Sequence, residues 1–412
     1  MSRGTMGGRG ARWWLQQLHL YVGLILMLPL VMMGLTGAVL VYAHDLEHLF
    51  GDEPKAAAVG DWRSPGDIVA AARQASPDPG RVPIAVRWPA NAGEPAAVRL
   101  SRPGLAGERG AGRGSAAGAL MQSPFAGSVQ LLIDPVSLQV LGREEAMSGW
   151  VRFFHDLHGH LFVPGGTGRA IVGWFGVALL GLGLSGLFLW WPRAGQWKAA
   201  FGVRRGARGV RLNRELHGAV GIWSLLLFLV VNASGVYLAF PQTVAAAVGT
   251  VWPGRDLRAA MMQARLEPVR GAVPMALDEA VALALAKVPE ARFLNAFLPV
   301  RPEQPLRIGL VRAGESEGAP TATVLVDPYR RQVVEVFDPR SMSFGESLLS
   351  WQRALHYGQG LGGLYKALVF ASGLIIPLFA VTGFLMWWLK RRNRRAGARA
   401  RQAMLGAAGQ AD

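Results

Sequence analysis

Four stretches of the chain are apolar without interruption: Leu20–Tyr42, Ala170–Trp191, Gly218–Phe240 and Ala367–Leu389, all nearly equal in length and free of Asp, Glu, Lys and Arg. At a helical rise of about 1.5 Å per residue each is long enough to cross the hydrocarbon layer of a bilayer, so each run predicts a transmembrane helix. In the long segments between runs one and two, and between three and four, the pattern changes to short alternating stretches bounded by Gly, Pro and Asp. Ala43–Gly149 predicts a helix at Pro65–Ala75 and strands at Val82–Trp88, Ala97–Leu100, Val129–Ile133 and Gln139-Val140-Leu141, with a flexible glycine-rich loop at Leu105–Gly118. Gln242–Leu349 predicts the same order, with a helix at Leu277–Ala286, strands near Phe293–Pro299, Leu306–Leu310 and Thr323–Val326, and Gln332-Val333 after the last turn.

The pattern reads as one unit written twice. His19 precedes Thr36-Gly37 by the same interval at which His217 precedes Ser234-Gly235. Gln139-Val140 follows Asp134-Pro135 at the offsets at which Gln332-Val333 follows Asp327-Pro328; an Asp-Pro pair between apolar runs reads as a turn. Each long segment ends in an aromatic amphipathic stretch, GWVRFFHDLHGHLFVPGGTGR and SWQRALHYGQGLGGLYK. The spacing from Trp150 makes His155 the counterpart of His356, the glycine turn that follows makes it His158, and the turn favours His158. Runs two and four close alike, with Ser185-Gly186 before Trp190-Trp191 and Thr382-Gly383 before Trp387-Trp388. The expected fold is therefore membrane α-helical: a four-helix transmembrane bundle built by internal duplication, with two α+β domains on one side. Its divisions are 1–42 (N-terminus and first span), 43–169 (first domain), 170–191 (span), 192–217 (loop), 218–240 (span), 241–366 (second domain), 367–389 (span) and 390–412 (basic tail).

Charge orients the bundle. Nearly all of the net +16 sits in Met1–His19, Pro192–Leu216 and the tail after Leu389, and positive charge is retained on the cytoplasmic side. Both termini are thus expected in the cytoplasm and both α+β domains outside. The same placement makes the pI of 11.2 a topology signal and argues against a nucleic-acid partner. The absence of cysteine excludes disulfides, thiolate-bound iron–sulfur clusters and covalently attached c-type haem. The first apolar run is too long for the hydrophobic region of a signal peptide and reads as a retained anchor.

All eight histidines lie at span ends or beside them: His19 and His217 at the inner ends, and His44, His48, His155, His158, His160 and His356 at the outer ends. Imidazole is an axial ligand for haem iron, and helix bundles build cofactor sites from facing side chains. The repeat predicts that His19 faces His217 across an inner site and His158 faces His356 across an outer one, each pair holding a non-covalent haem. His44, His155 and His160 are candidates as further ligands, partners of ligands or a proton path; an alternative is a transition metal bound by the outer cluster, which would depend on His158 and not on His19 or His217; His48 reads as a surface residue. The four Ser/Thr-Gly pairs predict either room for a flat macrocycle or close helix packing. Asn232, an amide inside the third span, predicts a hydrogen bond to a haem carboxylate or to a neighbouring helix.

The order of span, outer α+β segment with a D-P-x-x-x-x-V turn, Leu-His segment and span ending in S/T-G-x-x-x-W-W resembles the PepSY-associated transmembrane helix family. The resemblance covers nearly the whole chain. It implies PepSY-like periplasmic domains, a multi-pass location in the bacterial inner membrane, and a role in iron acquisition, some members being haem-containing reductases of ferric siderophores. By position it implicates His19, His158, His217 and His356, with two haem b groups, as metal-binding residues through the haem iron. A ferric siderophore or other ferric chelate is the implied partner on the periplasmic side. The chain departs from larger members in having no flavodoxin-like or NADPH-binding domain, so the donor is expected to be quinol or a separate cytoplasmic flavoprotein. The alternative is a non-redox PepSY membrane protein that serves siderophore or iron transport or binds a regulatory partner.

Overall fold

The computed structural model describes residues 10–50, 54–76, 78–102, 128–145, 149–269 and 271–408. The glycine-rich loop 105–118 and the side chain of His48 lie outside the described residues.

The first apolar run does not form one straight helix. It is split into α1 (Ala11–Ile25) and α2 (Met27–Val41), bent by 65° at Leu26. Pro29 supplies the reason: it has no N–H to give the carbonyl of Ile25, and its ring crowds that carbonyl, so the ladder breaks one turn before it. A short α3 (Ala43–Phe50) follows α2. The other runs form α6 (Gly166–Trp190), α8 (Gly209–Ala239) and α13 (Gly362–Ala408), named in chain order with the elements given below. Among the described residues three helices are thus long and apolar enough to cross a membrane alone, and the bent pair makes a fourth span if taken together. Only 11–22% of the most apolar stretches of α6, α8 and α13 is buried, so their apolar side chains face outward, as lipid contact requires.

Helix α13 packs on α2 and on α8, and α8 packs on α6. The α2–α13 contact is backbone to backbone, since a Cβ at Gly34 would lie 2.6 Å from the carbonyl oxygen of Gly373. Helix α13 runs for 47 residues, so its arginine-rich end continues the helix well beyond the apolar stretch.

The segments between spans build β1 (Val82–Arg87), β2 (Ala96–Ser101), β3 (Val129–Ile133) and β4 (Val140–Glu145), and β5 (Ala291–Phe297), β6 (Leu306–Arg312), β7 (Ala322–Asp327) and β8 (Gln332–Phe337). These strands do not stay in two separate domains. They form one eight-stranded antiparallel sheet of order β4-β3-β2-β1-β5-β6-β7-β8, in which two four-stranded meanders meet edge to edge. The seam is symmetric: Val86 pairs with Ala296, the amide of Trp88 donates to Leu294 and that of Leu298 donates to Ile84. Pairing these edges protects what would otherwise be an exposed strand on each meander.

One core serves both meanders. Helices α4 (Pro65–Gln74) and α11 (Leu277–Lys287) cover one face, where Ile68, Ala72, Ala280 and Ala284 pack with Val98, Ile133, Ile308 and Val324. Asp278 ties the helices together by accepting from Ser64 Oγ and from the Gly66 amide, both at 2.8 Å. Both Asp-Pro pairs are turns: Asp134 accepts from the amides of Val136 and Ser137, and Asp327 from those of Tyr329 and Arg330.

Two amphipathic helices connect sheet and bundle, α5 (Gly149–His160) and α12 (Phe344–Tyr357). The remaining short helices are α7 (Trp197–Ala200), α9 (Pro241–Val251) and α10 (Leu257–Gln263). Helix α12 is fixed at both ends, by a capping box between Ser343 and Glu346 and by Gly358 at φ 70°. Helix α5 ends where Leu161 and Phe162 take positive φ of 54° and 56°, turning the chain into α6.

Candidate functional site

Among the described residues, two histidine pairs join the two halves of the chain. The rings of His19, on α1, and His217, on α8, have their centres 6.3 Å apart at the end of the bundle far from the sheet. Those of His158, on α5, and His356, on α12, are 6.1 Å apart at the end nearest the sheet. Each pair takes one ring from each half of the chain.

Every one of these rings is gripped in the same way by a Ser/Thr-Gly pair of its own half. Nδ1 of His19 lies 2.8 Å from Ser185 Oγ, that of His217 2.8 Å from Thr382 Oγ1, that of His158 3.1 Å from Thr36 Oγ1 and that of His356 3.3 Å from Ser234 Oγ. Each hydroxyl donates its single proton to a carbonyl of its own helix: Ser185 to Leu182, Thr382 to Leu378, Thr36 to Met32 and Ser234 to Val231. The oxygen facing the imidazole is therefore an acceptor, so Nδ1 carries the proton and Nε2 carries the lone pair. The glycine next to each hydroxyl sits against Cε1 of the same ring, where a Cβ would lie 2.9 Å from it at Gly37 and at Gly235. The small pairs thus hold the histidines, a use that their spacing alone did not disclose.

Withdrawal from water keeps the sheet-proximal rings neutral. Burial, with the nearby His356 second, pushes the imidazole of His158 down to about 3, and burial also lowers that of His356.

This pair opens on a cavity of about 1070 Å3, at the upper edge of the roughly 300–1,000 Å3 typical of ligand pockets. Its wall runs from Leu179 and Phe228 in the bundle to Thr323 and Phe337 of the sheet. His44, His155 and His160 also line it; the rings of His155 and His160 are 5.8 Å apart, and His155 Nδ1 is 3.4 Å from Asp156. Among the described residues no group of three or more His, Asp or Glu is placed to share a metal ion.

The sequence reading missed the basic side chains on this wall. Arg169 and Arg258 lie within Coulombic reach of each other, and neither has a carboxylate partner among the described residues. Lys366 pairs with Asp45 and lies over the ring of Tyr42. The single basic residue after each Leu-His segment, Arg169 and Lys366, was the available signal. Asn232 reaches the wall too, with its amide donating to Phe228 of its own helix at 2.7 Å.

The donor sets are two imidazoles each. Ring centres 6.3 and 6.1 Å apart are near the separation of two imidazoles that share one metal ion. With no third side-chain ligand among the described residues, each set suits a metal whose other positions are filled by a macrocycle.

No curated protein matches this chain. The chain does match the family described as the PepSY-associated TM region across residues 16–390, a stretch containing all eight histidines, all four Ser/Thr-Gly pairs and the whole sheet, and it belongs to that family.

Proposed function

We propose that this chain is a b-type haem protein of the bacterial inner membrane that delivers electrons to a ferric siderophore, or another ferric chelate, in the periplasm. The observation that carries this reading is the pair of two-imidazole sites, each ring with a hydroxyl at Nδ1 and the two ring centres 6.3 or 6.1 Å apart. His19 and His217 would hold one haem, and His158 and His356 a second. Arg169 and Arg258 are the counter-charges for haem carboxylates on the cavity wall. When bound, haem supplies reversible one-electron carriage at its iron.

Arginine-rich segments lie at the sheet-distal end, in 192–216 and beyond residue 389, which favours that end as cytoplasmic and the sheet as periplasmic. The palindromic strand order and the matched histidine grips support a duplicated unit with two PepSY-like halves joined in one outer layer. On this orientation His19 and His217 stand on the donor side, and the cavity beside His158 and His356 stands on the acceptor side. Each ferric ion takes one electron. One quinol, or one two-electron-reduced cytoplasmic flavoprotein, therefore serves two chelates, and a quinol also releases two protons. Ferrous iron binds hard oxygen ligands more weakly than ferric iron, so reduction frees the metal outside the membrane.

The test is the absorption spectrum of the detergent-purified full chain, oxidised and dithionite-reduced, with a pyridine haemochrome count. We expect b-type bands, two haems per chain, and one haem lost from His217→Ala. A colourless protein that takes up no added haemin overturns this reading and leaves the non-redox binding or transport class in its place.

A further inference from the structure

The two ends of the bundle hold their imidazoles with different acceptors. At the sheet-distal pair the hydroxyl oxygen is, among the described residues, the one acceptor at Nδ1–H, Ser185 Oγ for His19 and Thr382 Oγ1 for His217, both at 2.8 Å. At the sheet-proximal pair the backbone three residues before the hydroxyl also lies close to the ring. His356 Nδ1 is 3.0 Å from the Val231 oxygen as well as 3.3 Å from Ser234 Oγ. At His158 the geometric partner of Nδ1 is Thr36 Oγ1 at 3.1 Å, and the Met33 backbone, three residues before that hydroxyl, lies close to the same ring. Each sheet-proximal ring thus has backbone beside its hydroxyl, one ring in each half of the chain, and at His356 the carbonyl is the nearer acceptor.

A carbonyl cannot be removed by changing a side chain, whereas a hydroxyl can. An imidazole whose Nδ1–H loses its acceptor has two ways to respond. It can leave a buried donor unsatisfied, or move its proton to Nε2 and lose the lone pair that binds a metal. The acceptor on Nδ1–H also raises the donor strength of Nε2, one of the levers by which a protein sets an iron centre's affinity and potential.

We infer that Ser185 and Thr382 are positioning residues that fix the tautomer and donor strength of the sheet-distal pair, while the sheet-proximal pair is set by the backbone and tolerates loss of Thr36 and Ser234 hydroxyls. The inference rests on the proposal that both pairs ligate haem iron.

The experiment compares Ser185→Ala and Thr382→Val with Thr36→Val and Ser234→Ala in the full-length chain, by redox titration and by haemin titration of the haem-depleted protein. The sheet-distal centre is identified as the one lost in His19→Ala. Ser185→Ala and Thr382→Val are expected to weaken haemin binding at that centre about 10–100-fold and to move its midpoint potential upward. Thr36→Val and Ser234→Ala are expected to change neither quantity at the sheet-proximal centre beyond about twofold. Ser185→Thr and Thr382→Ser keep a hydroxyl and restore wild-type values. If Ser185→Ala does not accumulate, the isosteric Thr382→Val carries the comparison. Equal effects from all four hydroxyl deletions, or no effect from Ser185→Ala and Thr382→Val, overturn the inference while leaving the haem reading intact. Wild-type protein that binds no haemin overturns the haem reading itself.

Discussion

Both histidine pairs are gripped by a hydroxyl and a glycine, yet the glycines are under different demands. A Cβ added at Gly37 or Gly235 would lie 2.9 Å from Cε1 of His158 or His356, closer than side chains normally approach. At Gly186 and Gly383 it would lie 3.5 and 3.9 Å from Cε1 of His19 and His217, which is ordinary contact. The difference follows from where the histidines are mounted. His19 and His217 sit on α1 and α8, helices of the spanning bundle whose rings reach sideways to a neighbour already packed beside them. His158 and His356 sit on α5 and α12, short helices outside the spans, and their rings must press against the backbone of α2 and α8 to meet. One level of the molecule therefore depends on a hydroxyl and the other on the absence of a side chain.

The sharpest way to break this comparison is to remove the rings. If the proposed haems occupy two separate sites, His19→Ala abolishes haem at the sheet-distal level alone, His356→Ala at the sheet-proximal level alone, and the double variant gives a colourless protein by haemochrome assay. Loss of both haems from either single change would mean that the levels are one cooperative unit.

Next in size is the effect of the glycines. Gly37→Ala and Gly235→Ala force the imidazole or the helix to move, at about 1–3 kcal/mol for overpacking, so haemin titration should show a weakening of roughly tenfold at the sheet-proximal level. Gly186→Ala and Gly383→Ala should fall within about 0.5 kcal/mol of wild type. Equal tolerance at all four glycines would remove the distinction.

The smallest effect on the pairs comes from Asp338. Arg312, 5% exposed, donates to both of its carboxylate oxygens at 2.9 and 2.6 Å. Asp338 also accepts from the Arg340 amide in the turn before α12, the helix that carries His356. The bond from Arg312 holds the Asp338 carboxyl below its ordinary value of 3.8. Its contribution is therefore present above that pH and lost as the pH falls through the lower folded value. Asp338→Asn should lower stability by about 1–3 kcal/mol near neutral pH, seen as a fall in melting temperature, and should loosen only the sheet-proximal centre. A variant whose melting temperature matches wild type near neutral pH would show that this ion pair does not anchor that end.

Much of the layout was legible in the chain. The four apolar runs, the helix and strands within each outer segment and the turns at Asp134 and Asp327 all follow from hydrophobic period and turn chemistry, which are local properties. The break at Leu26 was carried by Pro29, a signal that a window averaged over hydropathy smooths away. The Ser/Thr-Gly pairs were visible as a repeat, but their partners lie far off in the chain, in other helices, so spacing gave no reason to choose histidine over lipid, macrocycle or helix packing.

What the sequence carries by itself is therefore periodic or repeated: apolar runs long enough to span, basic segments beside them, and a histidine-bearing pattern that recurs in the two halves. What only the tertiary structure decided is how those copies meet. The edges of β1 and β5 are interchangeable with any unpaired strand edge until the chain folds, because backbone hydrogen bonds carry no residue code. Likewise an imidazole presents the same two nitrogens in any helix. Only a hydroxyl brought to Nδ1 from a distant span, with its own proton committed to a carbonyl, selects which nitrogen keeps the lone pair.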